Sequence, residues 1–207
     1  RRRVGGAHRG KMSQTAVAQL RADGFDAIVC GAQKWLFGQT GAGFFGIAGN
    51  PIRPVEPLYA GWMGYDWGYR FGALQQWDRP PYTDGRFWEV GTYPYYSIRL
   101  AAAGIELLNE CGIDRVYNRI GTLLTQLTRG LEGTRYHANL FPDESNRSGI
   151  VAVSGPRPDE LHRHLSDRRI YTSQREGNIR VSPHFYNTAD EIDTLVGEIS
   201  RFDATSY

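Results

Sequence analysis

Apolar positions in the middle of the chain fall at three- and four-residue steps. Ile113, Val116, Tyr117, Ile120, Leu123, Leu124, Leu127 and Leu131 form one such series, the spacing of a helix with one buried face. Just before it, Tyr95 to Glu110 puts Ile98, Ala101, Ala102, Ile105 and Leu108 on a stripe and stops at Gly112, a glycine suited to a helix C-terminus. Near the end, Thr188-x-x-Glu191 is a capping box, followed by the stripe Ile192, Leu195, Val196, Ile199 and Phe202. Shorter apolar runs predict strands at Gly149–Val153, Ile170–Thr172 and Ile179–Ser182, with a helix over Pro158–Ser166. Early in the chain, Asp26–Cys30 and Gly43–Ala48 are apolar with glycines close by, which predicts buried strands of an α/β sheet. Between Asn50 and Tyr82 neither period holds; the segment is rich in Pro, Gly and aromatics, including Trp62, Tyr65, Trp67 and Tyr69. Irregular stretches of this length are functional or line an interface, so these rings either wall a substrate channel or fill a subunit contact.

Composition narrows the classes. With 207 residues, 41% hydrophobic and 22% charged, the chain has enough apolar material for one or two folded domains. Its 24 basic and 22 acidic residues are interspersed, which argues against a nucleic-acid or membrane-surface footprint and for small partners. Arg1-Arg2-Arg3 is the one basic cluster, and it reads as a solvated end. Cys30 and Cys111 make neither a disulfide framework nor a metal-ligand spacing, so a reducing cytoplasm is expected. No apolar run has the roughly 20 residues of a membrane span. His162 and His164, two apart on a predicted helix, point about 200° apart and cannot share a metal; they are expected to be exposed. The chain opens without Met, which is read here as the interior of a longer product.

Only two of the 24 basic residues are lysines, Lys11 and Lys34. Lys34 follows a predicted strand within Gly31-Ala-Gln-Lys-Trp-Leu-Phe-Gly38. Apolar neighbours desolvate an amine, lower its pKa and free its lone pair for attack on an aldehyde, chemistry that a guanidinium cannot perform. The bland alternative is a surface lysine at a strand end.

The string from Asp26 to Gly46 decides between them, because it resembles the lysine segment of the class V aminotransferases. These are fold-type I pyridoxal-phosphate (PLP) enzymes that include cysteine desulfurases and isopenicillin-N-epimerase-like proteins. Asp26, the strand Ala27–Cys30, Ala32, Lys34, Trp35, Leu36, Gly38, Gly41 and Gly43 follow the family pattern, with Gln33 in place of its usual histidine. Arg86-Phe-Trp-Glu-Val-Gly-Thr92 resembles the element whose Gly-Thr reaches the cofactor phosphate of the partner subunit in a dimer, which nominates Gly91 and Thr92. Ile179–Thr188 resembles the segment whose arginine holds the substrate carboxylate, which nominates Arg180; a planar fork of donors suits a carboxylate. Val4-Gly-Gly-Ala-His8 resembles the segment that contacts the pyridine ring, placing His8 beside the cofactor and Gly5 where the family has an aspartate. Without that carboxylate the cofactor is a poorer electron sink.

The resemblance implies an α/β fold: the C-terminal part of a fold-type I large domain over residues 1–112, then a small α+β domain over 113–207. The expected cofactor is PLP, held by Lys34 with His8, Gln33, Gly91 and Thr92 around it; the expected substrate is a small amino acid and the expected assembly a homodimer. Transamination leads, with β-elimination and epimerisation as alternatives. A catalytically inactive remnant or dimerisation fragment is the rival of another class. Tyr171–Gly177 holds no thiol where desulfurases carry a persulfide-forming cysteine, which disfavours sulfur transfer through an enzyme cysteine. Arg175, in that stretch, is either functional or a solvated strand-end charge. Gly41-Ala-Gly-Phe-Phe-Gly46 formally fits a dinucleotide loop, but Pro51, Pro54 and Pro57 forbid the helix that must follow.

Overall fold

The computed structural model describes residues 27–47, 59, 61–66, 72 and 78–205. They divide into two compact units, with the boundary between Glu110 and Cys111.

The first unit contains β1 (Ala27–Gly31), β2 (Gly43–Ile47) and helix α1 (Tyr95–Cys111). β1 and β2 pair antiparallel with Val29 opposite Phe45. Both strands were expected to be buried, yet Val29 is 78% exposed and Phe45 40%. The cause is the pleat: side chains alternate between faces, and the face that carries Val29 and Phe45 is the more exposed one of this two-stranded ribbon. α1 runs as predicted and ends at Gly112, whose φ of +81° is a conformation that disfavours side chains. Its buried positions are Ala101, Gly104 and Leu108, whereas Ile98, Leu100 and Leu107 are exposed. Small residues line the contact because the helix backbone comes very close to the loop below it. A Cβ built on Gly104 would lie 2.0 Å from the carbonyl oxygen of Leu36, and one on Gly38 would lie 3.1 Å from the Cβ of Ala101.

The second unit is a layer of helices on a four-stranded antiparallel sheet. α2 (Ile113–Gly130), β3 (His137–Asn139), β4 (Val151–Ser154), α3 (Pro158–Asp167), β5 (Ser173–Arg175), β6 (Asn178–Val181) and α4 (Ala189–Ala204) follow in order, and the strands lie in the order β3-β4-β6-β5. Val151, Val153, Ile179 and Val181 face the helices and are buried with Leu123, Leu127, Leu161, Leu165, Ile192, Leu195 and Ile199. Of the predicted α2 stripe, Val116, Ile120, Leu123, Leu124, Leu127 and Leu131 are buried while Tyr117 is exposed, and both arms of the Thr188–Glu191 capping box are present. Burial on this scale, roughly 1.5–3 kcal/mol per large side chain, makes this layer the principal apolar core among the described residues.

Two expectations change. The strand expected at Ile170–Thr172 lies at Ser173–Arg175, where Arg175 opposes Asn178 across a two-residue turn. Glu176 and Gly177 both have positive φ, 48° and 74°, the geometry of a tight hairpin whose twist matches its strands. The histidines are not exposed. His162 Nδ1 lies 3.2 Å from Thr172 Oγ1, and His164 Nε2 lies 3.1 Å from Glu198 Oε2. Glu198 is a buried carboxylate on α4 that Arg168 and Arg201 also contact. A buried charge needs partners, and the histidine supplies one from the neighbouring helix.

In an open helix interior, Gly→Ala gains about 1 kcal/mol. Gly121→Ala on α2, where an added Cβ meets nothing within 4 Å, should therefore stabilise the protein by about that amount. Gly104→Ala should have the opposite sign and cost about 1–3 kcal/mol, the range for overpacking; urea denaturation of both variants measures the pair.

Candidate functional site

Lys34 sits on the turn between β1 and β2. The ends of that turn are fixed by the backbone: Ala32 N–H donates to Ala42 O at 3.0 Å, and Gly38 N–H donates to Ala32 O at 2.9 Å. Phe37 N–H closes the turn on Lys34 O at 3.1 Å, with Phe37 itself at φ +56°, a conformation that costs energy for a bulky residue. Ala32, Leu36 and Ala42 are buried beneath the turn, while Lys34 and Gln33 are exposed on it. The expected apolar desolvation of the amine is therefore not supplied by the described residues. The lysine has a rigid base and an open tip, which fits an amine that must bond to an aldehyde brought to it. The Gln33 amide lies over the backbone of Gly31.

Gly91 and Thr92 follow a 3-10 turn at Gly85–Trp88, which Asp84 caps. Asp84 accepts from Arg86 N–H at 3.0 Å, and the Arg86 guanidinium grips both carboxylate oxygens, Nε to Oδ1 at 2.9 Å and Nη2 to Oδ2 at 2.7 Å. Arg86 also lies 3.9 Å over the Tyr82 ring. Its charge is thus committed to shaping the approach to Gly91-Thr92, a role that the resemblance did not assign and for which the signal is the Asp-x-Arg spacing. Trp88 packs edge-on against Phe45 of β2, ring centres 5.0 Å apart. Beyond Thr92 the chain enters α1, where Ser97 Oγ donates to Thr40 O at 3.2 Å. The lysine turn and the Gly-Thr loop therefore share one helix as support. Gly91 is half-buried and Thr92 exposed; a hydroxyl beside backbone amides ahead of a 17-residue helix is a donor set suited to phosphate.

Arg180 belongs to the second unit. It lies on β6, opposite Ala152 of β4 and Ser173 of β5, half-buried on the sheet face away from the helices. Downstream, His184 is buried, its ring stacked on Tyr186 with centres 5.4 Å apart. His184 N–H donates to Asn187 Oδ1 at 2.8 Å, and Arg119 Nη2 donates to Asn187 O at 2.9 Å. These contacts anchor the segment that follows Arg180, and sequence reasoning missed them. Gly5 and His8 lie outside the described residues, as do Trp67 and Tyr69. No group of three or more His, Cys, Asp or Glu side chains suited to a metal occurs among the described residues.

The fold is that of the fold-type I PLP enzymes, as seen in cysteine desulfurases. The particular likenesses are these. An uncharacterised aminotransferase of Bacillus subtilis strain 168, YcbU, is 26% identical over 182 residues, which is 86% of this chain and 45% of that protein. The apo cysteine desulfurase of Thermococcus onnurineus NA1 superposes with a TM-score of 0.77 at 19% identity, covering 90% of this chain and 49% of that one. The cystine C-S lyase C-DES, in complex with its product cysteine persulfide, gives 0.73 at 22% identity over 87% of this chain and 48% of that one. A C-DES mutant with glycine covalently linked to the PLP cofactor gives 0.67 at 23% identity, covering 80% and 43%. No family model matches the chain. The chain spans about half the length of these relatives, an extent that fits a C-terminal portion of the fold.

The Arg86 fork holds the Asp84 carboxyl down at about 2, against an ordinary value near 4. Because the folded value is depressed, the stabilisation of this turn is fully present above the ordinary value and is lost as pH falls through about 2. Carboxyl NMR titration should give Asp84 a midpoint near 2, moving up in Arg86→Ala yet staying below the ordinary range, because the backbone N–H of residue 86 still donates to the carboxylate.

Proposed function

We propose that this chain carries the lysine-bearing half of a PLP-dependent enzyme acting on a small amino acid, with Lys34 as the residue that bonds to the cofactor aldehyde. The observation that carries the reading is the turn around Lys34, braced by three backbone hydrogen bonds and a buried underside while the amine itself stays open. Gly91 and Thr92 hold the phosphate, Gln33 and His8 flank the ring, and Arg180 takes the substrate carboxylate. When bound, PLP supplies a conjugated ring that draws electron density from the amino-acid Cα. The freed Lys34 amine then removes and returns the proton at that carbon as base and acid, while Arg180 fixes which bond is held for cleavage.

Transamination is the leading reaction; elimination and epimerisation use the same residues up to the proton transfer. A homodimer is part of the proposal, with the Thr92 loop serving the partner's cofactor. So is a cytoplasmic setting, in keeping with Cys30 and Cys111 as free thiols and with no helix among the described residues long and apolar enough to cross a membrane. One observation favours the rival reading of an inactive dimerisation fragment. Gly5 stands where a carboxylate keeps the ring nitrogen protonated in the family.

Adding PLP to the purified chain should produce visible absorbance that survives desalting and is absent from Lys34→Ala. Thr92→Ala should weaken cofactor retention about tenfold, the worth of one hydrogen bond to a charged group. A folded chain that stays colourless contradicts the proposal.

A further inference from the structure

The sheet of the second unit has two faces of opposite character. Toward the helices it presents Val151, Val153, Ile179 and Val181, all buried. Because side chains alternate along each strand, the other face carries the remaining positions, and the register sets them in two cross-strand rows. One row is Asn139, Ala152, Arg180 and Ser173; the other includes His137 beside Ser154, and Asn178 beside Arg175. Gln174, between Ser173 and Arg175, points the other way and donates to Asp159 of α3, which confirms the alternation.

Arg175 is therefore not a random strand-end charge. It lies diagonal to Arg180 on the same face, a relation in which residues sit about 7–8 Å apart, within reach of long side chains. No Asp or Glu stands in either row. Among the described residues, no ion pair or hydrogen bond engages the Arg180 guanidinium, and Arg175 Nη1 donates only to the adjacent Gln174 carbonyl at 2.7 Å. Neighbouring like charges on a sheet repel, and a half-buried guanidinium without an anion is poorly solvated. A ligand with one carboxylate neutralises one of the two arginines; a ligand with two anionic groups neutralises both. Ala152 and Ser173, the cross-strand neighbours of Arg180, are small side chains with no anion to offer it. Ser173 adds a hydroxyl that can donate to the same anion.

Resting on the assignment of Arg180 to the substrate carboxylate, we infer that the substrate is an amino acid with a second anionic group on its side chain, and that Arg175 is the residue that reads it. The second group is a carboxylate or a phosphate, since both accept a paired set of guanidinium donors. Ser173 orients the first carboxylate from the side opposite Ala152.

The test is calorimetric titration of the PLP-loaded full chain with L-glutamate, L-aspartate and O-phospho-L-serine, with L-glutamine as the neutral isostere of glutamate. At least one dianionic ligand should bind ten times or more tighter than glutamine. Arg175→Gln should reduce that ratio to about one, Arg175→Lys should restore part of it, and Arg180→Gln should weaken all four ligands. Arg175 is exposed, so both of its variants should keep the wild-type circular dichroism spectrum. A stronger response to phosphoserine than to glutamate assigns the second group as phosphate; the reverse assigns it as carboxylate. Equal affinity for glutamate, aspartate, phosphoserine and glutamine, or a preference that survives Arg175→Gln, overturns the inference while Lys34-dependent absorbance leaves the proposed function standing. Absence of that absorbance removes the proposed function, and this inference with it.

Discussion

Everything in the first unit turns on how closely α1 approaches the loop that bears Lys34. At Gly104 the helix leaves no room for a methyl group above the Leu36 carbonyl, and Ala101 on the same helix face also lies close to Gly38. A helix that close acts as a floor, so the turn above it has one arrangement open to it. Ala32, Leu36 and Ala42 fill the space beneath, and Phe37 is held in a left-handed conformation that an unsupported chain would leave. The result is a fixed point of departure for a long, flexible side chain. The base of the Lys34 side chain is placed while its tip stays exposed, which is the arrangement the proposed covalent role calls for. Through Ser97 and Thr40 the start of the same helix, just after Thr92, is tied to the lysine turn.

The second unit solves a different problem. Its apolar residues are gathered on one face of the sheet under three helices, so the other face is left polar and carries both Arg180 and Arg175. The contrast with Arg86 is instructive. Arg86 has its anion in the neighbouring Asp84 and builds local structure with it, and Arg135 is matched in the same way by Asp203. On the other sheet face no Asp or Glu stands in the rows that hold Arg180 and Arg175.

Much of this was legible in the sequence wherever one periodic signal dominated. The α2 stripe from Val116 to Leu131, apart from the exposed Tyr117, the capping box at Thr188 and the stop at Gly112 all appear where the pattern put them, because local propensity and burial agree there. The fold class was legible too, through four ordered segments rather than through any one. What the sequence hid was tertiary in origin. Strand β3, His-Ala-Asn, has neither length nor alternation and exists only because it pairs with β4. β5 is polar and was masked by the more apolar Ile170-Tyr-Thr just before it; the Glu176-Gly177 turn was the signal that would have located it. The α1 stripe misled because close packing selects small residues, so Gly104 is buried while the larger Ile98 is not. His164 looked like a surface residue because its partner, Glu198, is 34 positions away.

The most direct test of the central claim uses the scarcity of lysine in this chain. Borohydride reduction after incubation with PLP fixes any carbonyl–amine adduct, and peptide mass spectrometry then locates it on Lys11 or Lys34. The structure predicts the pyridoxyl phosphate mass on the peptide containing Lys34 and none on that containing Lys11. Equal labelling of both, or labelling of Lys11 alone, would show that the braced turn confers no special reactivity and would contradict the account.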